Sequence, residues 1–197
     1  MDWLWTSGKI STDDQGRQLA RAARGSGECE MELRSVEAIV GALNAAEVRY
    51  LIVGGLAVNA HGYQRMTVDV DLVVQLKSDN LLAGLRALQS LGYAPRIPVN
   101  AEEFADPAIR DTWRSEKGML VFQLHSDIHR TTPIDIFVYE PFDFDTEYEQ
   151  AVSEAIATGL DVRIVRLEAL LKMKRAANRL KDLVDLDALQ KIDPYKK

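Results

Sequence analysis

Asp69 and Asp71 stand two residues apart in the run VDVDLVVQ at 68–75, whose alternation and β-branched residues predict a strand. With a period of two, both carboxylates point to one face of the sheet while Val68, Val70, Leu72 and Val74 fill the other. Two like charges on one face repel each other, and the usual group between them is a divalent metal with oxygen ligands; the competing reading is a solvated, acidic sheet face. Thirteen residues lie between Gly55 and Asp69. Gly54 and Gly55 close the strand-like stretch VRYLIV at 48–53 and precede a short helical run, LAVNAHG. Glycines let the backbone approach a ligand closely, and the free N–H groups of a helix start bind phosphate. A lone Gly-Gly is more often a tight turn. At a strand end, followed by one short helix and then Asp-x-Asp in the next strand, it sets a phosphate cradle beside a metal site. Asp135, alone among the apolar residues of PIDIFV at 133–138, must be paired or coordinated unless it faces solvent on a half-exposed strand. Three convergent carboxylates would hold two Mg²⁺ ions, one on a nucleoside triphosphate and one on an attacking hydroxyl. That chemistry is nucleotidyl transfer.

The elements that must position these groups follow from periodicity. Val36, Ile39, Val40 and Leu43 recur as on an amphipathic helix, and Leu82, Leu85, Leu88 and Leu91 mark a second helix that stops at Gly92. Pro95, Pro98 and Pro107 predict a loop over 94–110. Residues 119–124 and 134–139 read as strands of a hairpin joined by the polar HSDIHRTT. Residues 147–158 read as a weak helix, 162–165 as a short strand, and 167–190 as one long helical region rich in Leu and Lys. Strands interleaved with helices predict an α/β (α+β) domain whose mixed sheet contains antiparallel pairs flanked by helices, with a C-terminal helical segment from about residue 166. Residues 1–30, broken by four glycines and without a sustained apolar stripe, are read as a flexible leader. A single domain then spans 31–197, with Met31 an admissible start.

On one continuous helix Lys174, Asn178, Lys181 and Asp185 would fall within about 60° of one another, a polar stripe whose lysines could neutralise triphosphate charge. Leu170, Met173, Ala177, Leu180 and Val184 would form the neighbouring apolar stripe against the core. The competing reading is a solvated face with an Asp–Lys pair. His125 and His129 have helical spacing but lie in a turn-rich segment, which argues against zinc; His61 is read as a local packing or capping group. Trp113 could stack a base or belong to the core.

The 197-residue chain carries 24 Lys and Arg against 30 Asp and Glu, a net charge of −6. An acidic chain argues against non-specific nucleic-acid binding over a broad basic surface but leaves room for a local basic groove. Candidates for such a groove include Arg86, Arg96, Arg110, Arg114 and Lys117, with Lys172, Lys174, Arg175, Arg179 and Lys181. The longest apolar or glycine stretch, 51–58, is far short of a membrane span. One cysteine, Cys29, excludes an internal disulfide and fits a cytoplasmic protein.

Gly54-Gly55, the thirteen-residue spacer, Asp69-Val70-Asp71 and the later Ile134-Asp135-Ile136 resemble the polymerase-β-like nucleotidyltransferase superfamily. The finer run GGLAVNAHGYQRMTVDVDLVV, with EKGMLVFQL and the C-terminal LLKMKRAANRLKDLVDLDAL, is similar to minimal nucleotidyltransferases of the AbiEii toxin type, over about residues 33–191. The resemblance implies that Gly54 and Gly55 hold the triphosphate, that Asp69, Asp71 and Asp135 are the metal ligands, and that Asp135 is also the general base. It implies that Arg65 and Thr67 brace the loop or touch phosphate. Lys174, Lys181, Asp182 and Asp185 match the family's C-terminal motif, in which Asn178 replaces a frequent glycine, a change of little consequence in helical backbone. The implied acceptor is tRNA, a protein or the enzyme itself, and the implied role is a toxin with a cognate antitoxin. A small-molecule acceptor such as an antibiotic hydroxyl, and a non-catalytic nucleotide-sensing or partner-binding module, are the alternatives.

Overall fold

Leu33–Ala45 forms α1 and buries Val36, Ile39, Val40 and Leu43, the stripe that its sequence spacing predicts. The computed structural model describes residues 33–192; the leader assigned to 1–30, Met31 and Cys29 lie outside them. After α1 come β1 (Tyr50–Ile52), α2 (Gly54–Ala60), β2 (Val70–Val74), α3 (Ser78–Ser90) and β3 (Tyr93–Pro95). A 3₁₀ turn (Ala101–Ala105), α4 (Pro107–Lys117), β4 (Val121–Ser126), β5 (Ile134–Phe137) and α5 (Phe144–Gln150) follow. The chain continues through β6 (Val152–Ala157), β7 (Leu160–Ile164), α6 (Leu167–Ala177) and α7 (Leu180–Lys191).

The seven strands form one mixed sheet in the order β3-β4-β5-β2-β1-β7-β6. Its centre sets the register that matters. β2 runs antiparallel to β1, with Ile52 opposite Leu72, and parallel to β5, with Asp71 opposite Asp135. β4 runs antiparallel to β5, with Gln123 opposite Asp135. Side chains directly opposite one another share a face. Asp71, Asp135 and Gln123 therefore line one side of the sheet, while Val70, Leu72, Ile134, Ile136 and Phe122 enter the core on the other. No described helix is long and apolar enough to cross a membrane.

Three segments differ from the sequence expectations. The proline-rich stretch 94–110 is not all loop, because Pro107 occupies the first turn of α4, where its missing N–H costs nothing, and Asp106 Oδ1 caps the helix by accepting from Ala108 N at 2.8 Å. Residues 147–158 are not one helix: α5 ends at Gln150, and the alternating VSEAIA becomes β6, turning back through Gly159 at φ 72° to pair with β7. The C-terminal region is two helices, broken at Asn178 and Arg179. Trp113 belongs to the core, stacked at 5.6 Å on Phe122, which stacks in turn on Phe104 at 4.7 Å.

Candidate active site

β1 ends against β2, with Val53 N donating to Asp71 O at 3.0 Å, and the chain then turns sharply into α2 at Gly54, whose φ is 61°. A β-carbon on Gly54 would collide with Asp71 Oδ2, and one on Gly55 would collide with Thr67 and lie 3.4 Å from Arg65 Nη1. Gly55 N donates to Asp71 Oδ2 at 3.3 Å. The glycine pair thus exists for close approach as well as for the turn: the carboxylate of β2 and the 65–67 loop press directly on its backbone. Gly118, with φ 63° and open space within 4 Å of where a β-carbon would sit, provides the comparison. Gly118→Ala should cost about 1 kcal/mol through the backbone alone, whereas Gly54→Ala should cost about 2–4 kcal/mol through backbone and collision together. Urea unfolding of the two variants measures the difference, and equal losses would remove the close-approach argument.

Asp69, Asp71 and Asp135 are all partly buried. Burial, followed by the neighbouring Asp135 charge, pushes the Asp71 carboxyl up to about 6, against the pull of the Gly55 N–H; Asp69 raises it further and Lys174 lowers it. Asp135 is also raised, by burial and by Asp69, while a hydrogen bond from Gln123 and the charges of Lys181 and Arg96 act the other way. Asp135 Oδ1 is buried without a hydrogen-bond partner. A desolvated carboxylate oxygen with no donor is costly, and it points to a cation or proton that this oxygen receives in use. Among the described residues no three His, Cys, Asp or Glu side chains are gathered closely enough to hold a metal as they stand.

Beside this site lies an ionic network. Lys174, 5% exposed, donates to Asp182 Oδ1 at 2.9 Å and is paired with Asp185 Oδ2 at 2.8 Å. Asp185 also takes Arg65 in a two-pronged contact, from Nε at 2.6 Å and Nη2 at 2.9 Å. Asp182 receives Arg179 Nε at 2.7 Å and Arg179 N at 3.3 Å, capping α7. Burial pushes both carboxyls up, but the hydrogen bonds from Arg179 and Lys174 on Asp182, and from Arg65 and Lys174 on Asp185, outweigh it and leave both below the usual range. Arg65 braces its own loop, with Nη1 on Met66 O and with its backbone N–H and C=O both bonded to the Asn59 side chain.

The single helical stripe expected at the C-terminus is not formed. Asn178 sits at φ 49° and ends α6 in the left-handed conformation, so the expectation that its replacement of glycine falls in helical backbone is corrected; asparagine tolerates this conformation better than most residues. The break rotates α7. Asp182 and Asp185 turn inward, while Leu180 and Val184, expected against the core, are 84% and 56% exposed. Lys174 is a buried member of the network and Lys181 an exposed residue whose charge reaches Asp135. His125 and His129 share no site: His125 is exposed on β4, and His129 bonds Ser35 Oγ at 2.9 Å and stacks on Tyr93. His61 follows α2 as its C-terminal cap residue, but its Nε2 bonds Val165 O at 2.8 Å, a tertiary contact to the residue after β7 and not the local packing expected.

Sequence reasoning gives Gln123 no role and Arg179 only a place among the basic candidates. The alternation of VFQLHS, which sets Gln123 and His125 on the face opposite Phe122 and Leu124, is a signal for Gln123, but only the register opposite Asp135 gives it meaning. Arg179 acquires its part in the network only from the helix break.

Neither a family model nor a curated protein sequence matches the chain. Solved structures do. The lincomycin-bound crystal structure of LnuA, a lincosamide antibiotic adenylyltransferase, superposes with a TM-score of 0.51 at 14% identity over 81% of this chain and 97% of that one. The solution structure of the antibiotic-resistance factor ANT(2'')-Ia gives 0.51 at 15% identity, over 80% and 81%. With its mixed sheet and its glycine pair set against an aspartate strand, the chain has the nucleotidyltransferase fold.

Proposed function

We propose that the protein is a Mg²⁺-dependent nucleotidyltransferase that moves a nucleoside monophosphate from a nucleoside triphosphate to an acceptor hydroxyl. One observation carries the reading: Asp71 and Asp135 face each other across adjacent strands, one bonded to the Gly55 N–H and the other with a buried oxygen that no donor meets. The donor set is all oxygen, carries surplus negative charge and fits a hard divalent cation. Asp69, Asp71 and Asp135 would hold two Mg²⁺ ions, which when bound neutralise phosphate charge and acidify the acceptor hydroxyl.

The chain's own groups do the rest. The backbone of Gly54 and Gly55 receives the triphosphate, on a loop that Thr67 and Arg65 fix from below. Lys181 adds positive charge at the Asp135 side, and Lys174 acts through Asp182 and Asp185, with Asn178 providing the turn that lets those residues face inward. The acceptor oxygen bonds to the α-phosphorus as the bond to the β-phosphate bridge breaks, pyrophosphate leaves, and Asp135 takes the hydroxyl proton.

The AbiEii resemblance supports tRNA, a protein or the enzyme itself as acceptor, and a toxin role with an antitoxin partner. The names of LnuA and ANT(2'')-Ia as antibiotic-directed proteins favour a small-molecule acceptor as the second reading. An assay with each α-³²P-labelled nucleoside triphosphate, Mg²⁺, total tRNA and cell protein, run beside Asp69→Asn, separates them. Label in RNA, protein or the enzyme, lost in the variant, is the expected result. Mg²⁺-dependent nucleotide binding without label anywhere would favour the sensing module, or a small acceptor absent from the mixture.

A further inference from the structure

The strands that carry Asp71 and Asp135 run away from the candidate active site and end at a cavity. Residues 75–77 after β2, 138–140 after β5, α4 and the start of α5 border a volume of about 460 Å³. That is the size of a small-molecule site, roughly 300–1,000 Å³. Gln75 lies four residues on from Asp71, roughly 13 Å along an extended strand. The cavity is therefore separate from the glycine pair and its aspartates.

Lys77, Arg110 and Arg114 bring three positive charges to it. Arg110 is 5% exposed, with Nη1 donating to Phe104 O at 2.7 Å and Nη2 to Leu76 O at 3.3 Å, which sets it beside Lys77. Arg114, one turn further along α4, lies over the Tyr139 ring at 4.3 Å. Among the described residues none of the three forms an ion pair. Burial pushes the Arg110 guanidinium down, and the charges of Asp111, Asp106 and Glu140 offset only part of that. A buried cation held by carbonyl dipoles alone lacks a counter-ion. Four acids also line the cavity, and three of them already serve the fold. Glu140 Oε1 accepts from Leu76 N at 2.9 Å and Asp143 Oδ1 from Thr146 N at 2.9 Å. Asp145 Oδ1 takes Gln75 Nε2 at 2.7 Å and Arg49 Nη1 at 3.0 Å. Asp111 is exposed on α4. The second oxygens of Glu140 and Asp145 remain able to accept from hydroxyl groups.

We propose that this cavity is a second ligand site, apart from the transfer site, for a small phosphorylated polyol of the sugar-phosphate class. The phosphate takes the remaining N–H groups of Arg110, the guanidinium of Arg114 and the Lys77 ammonium, and so supplies the missing counter-ion. The hydroxyls donate to Glu140 Oε2 and Asp145 Oδ2, and the carbon skeleton lies against Pro107 and Tyr139. Inorganic phosphate would satisfy the cations but leave the carboxylates and most of the volume unused. A polycation would be repelled by the three positive charges. The assignment does not depend on the nucleotidyl-transfer reading.

Isothermal titration calorimetry on the full chain tests it, with glucose 6-phosphate, ribose 5-phosphate and glycerol 3-phosphate as probes and inorganic phosphate and glucose as separate arms. At least one probe should bind on the order of tenfold more tightly than inorganic phosphate or glucose. Arg110 also ties the 3₁₀ turn to the end of β2, so its substitution would mix folding with binding. Lys77 and Arg114 are exposed and carry the test. Lys77→Glu and Arg114→Glu should each weaken the probe on the order of tenfold, and Glu140→Ala on the order of threefold. Arg86→Glu, an exposed charge reversal on α3 outside the cavity, is the control and should leave binding within about twofold. Saturation with a non-hydrolysable ATP analogue and Mg²⁺ should also leave probe binding within about twofold, as two separate sites require. Equal losses in Arg114→Glu and Arg86→Glu, or a wild type that binds none of the probes, would overturn the proposal. Inorganic phosphate binding as tightly as the esters would remove the polyol. Competitive displacement by the nucleotide would put the probe on the Gly54–Gly55 backbone and refute the second site while sparing the transferase reading.

Discussion

Asp71→Asn is expected to make the protein more stable at neutral pH while reducing transfer by at least about a thousandfold, the scale on which groups that balance transition-state charge act. In the absence of metal and nucleotide, Asp71 is costly as an anion. Burial and the facing Asp135 push its carboxyl up to about 6, whereas in the unfolded chain an aspartate titrates near about 3.9. Between those two values the native state holds the proton and the unfolded state does not, so the native state binds more protons and stability falls as pH rises through the window. Above about 6 the cost is fully in place, and a shift of this size corresponds to about 1–3 kcal/mol once partial exposure is allowed for. Asparagine cannot ionise, yet its carbonyl still accepts from Gly55 N. Urea unfolding at pH 7.5 should therefore favour the variant, and the difference should shrink toward pH 4.5. Adding Mg²⁺ and nucleotide should reverse the order, since binding stabilises only the protein that binds. A variant equally destabilised at both pH values would show that Asp71 is structural.

This trade between stability and site chemistry explains what is legible in the sequence. The site strands are legible because the site is built on regular periodicity. Asp71 interrupts an otherwise apolar strand with Asp69 one residue before that strand begins, Asp135 interrupts another, and the glycines fall at a strand end, so residue type alone marks positions where burial and charge conflict. The parallel register that sets Asp71 opposite Asp135 is not local, and neither is the pairing of Gln123 with Asp135. The C-terminal motif escapes a sequence reading for a different reason. Asn178 has no strong signal for a left-handed turn within a Leu- and Lys-rich run, and one such residue rotates every later side chain. The helical period then assigns Leu180 and Val184 to the core in place of Asp182 and Asp185. Burial of two aspartates in place of two aliphatic residues is tolerated because Lys174, Arg65 and Arg179 reach them, which is a tertiary fact. Pro107 shows the same limit in miniature: it marks a loop or begins a helix, depending on whether the preceding aspartate turns to cap it.

Lys174→Met is expected to lower stability by about 3–5 kcal/mol, because two buried carboxylates each lose their shared charge-assisted partner and are left with a single arginine apiece. Asp182 and Asp185 are 0% and 1% exposed, so water cannot replace the ammonium without opening the junction between α6 and α7. The pH dependence has the sign opposite to that at Asp71. Both carboxyls are held below the usual range in the native state, so the stability they contribute is present above the unfolded aspartate value of about 3.9 and is lost as pH falls through the depressed native values. Removing Lys174 relaxes that depression, and the unfolding curves of variant and wild type should converge in acid. A double-mutant cycle between Lys174 and Asp185 should give a coupling of about 2–3 kcal/mol, whereas the exposed Lys191–Asp187 pair, at 72% and 68%, should give less than about 1 kcal/mol. Function separates the two roles open to this lysine. If it acts only by holding Asp185, and through it Arg65 beside Gly55, then at a temperature where the variant is folded the loss of nucleotide affinity should match that of Asp185→Asn, and combining the two substitutions should add little. A loss well beyond that of Asp185→Asn would instead place Lys174 on the triphosphate itself, and its burial in the network would then describe the state from which it swings to the nucleotide.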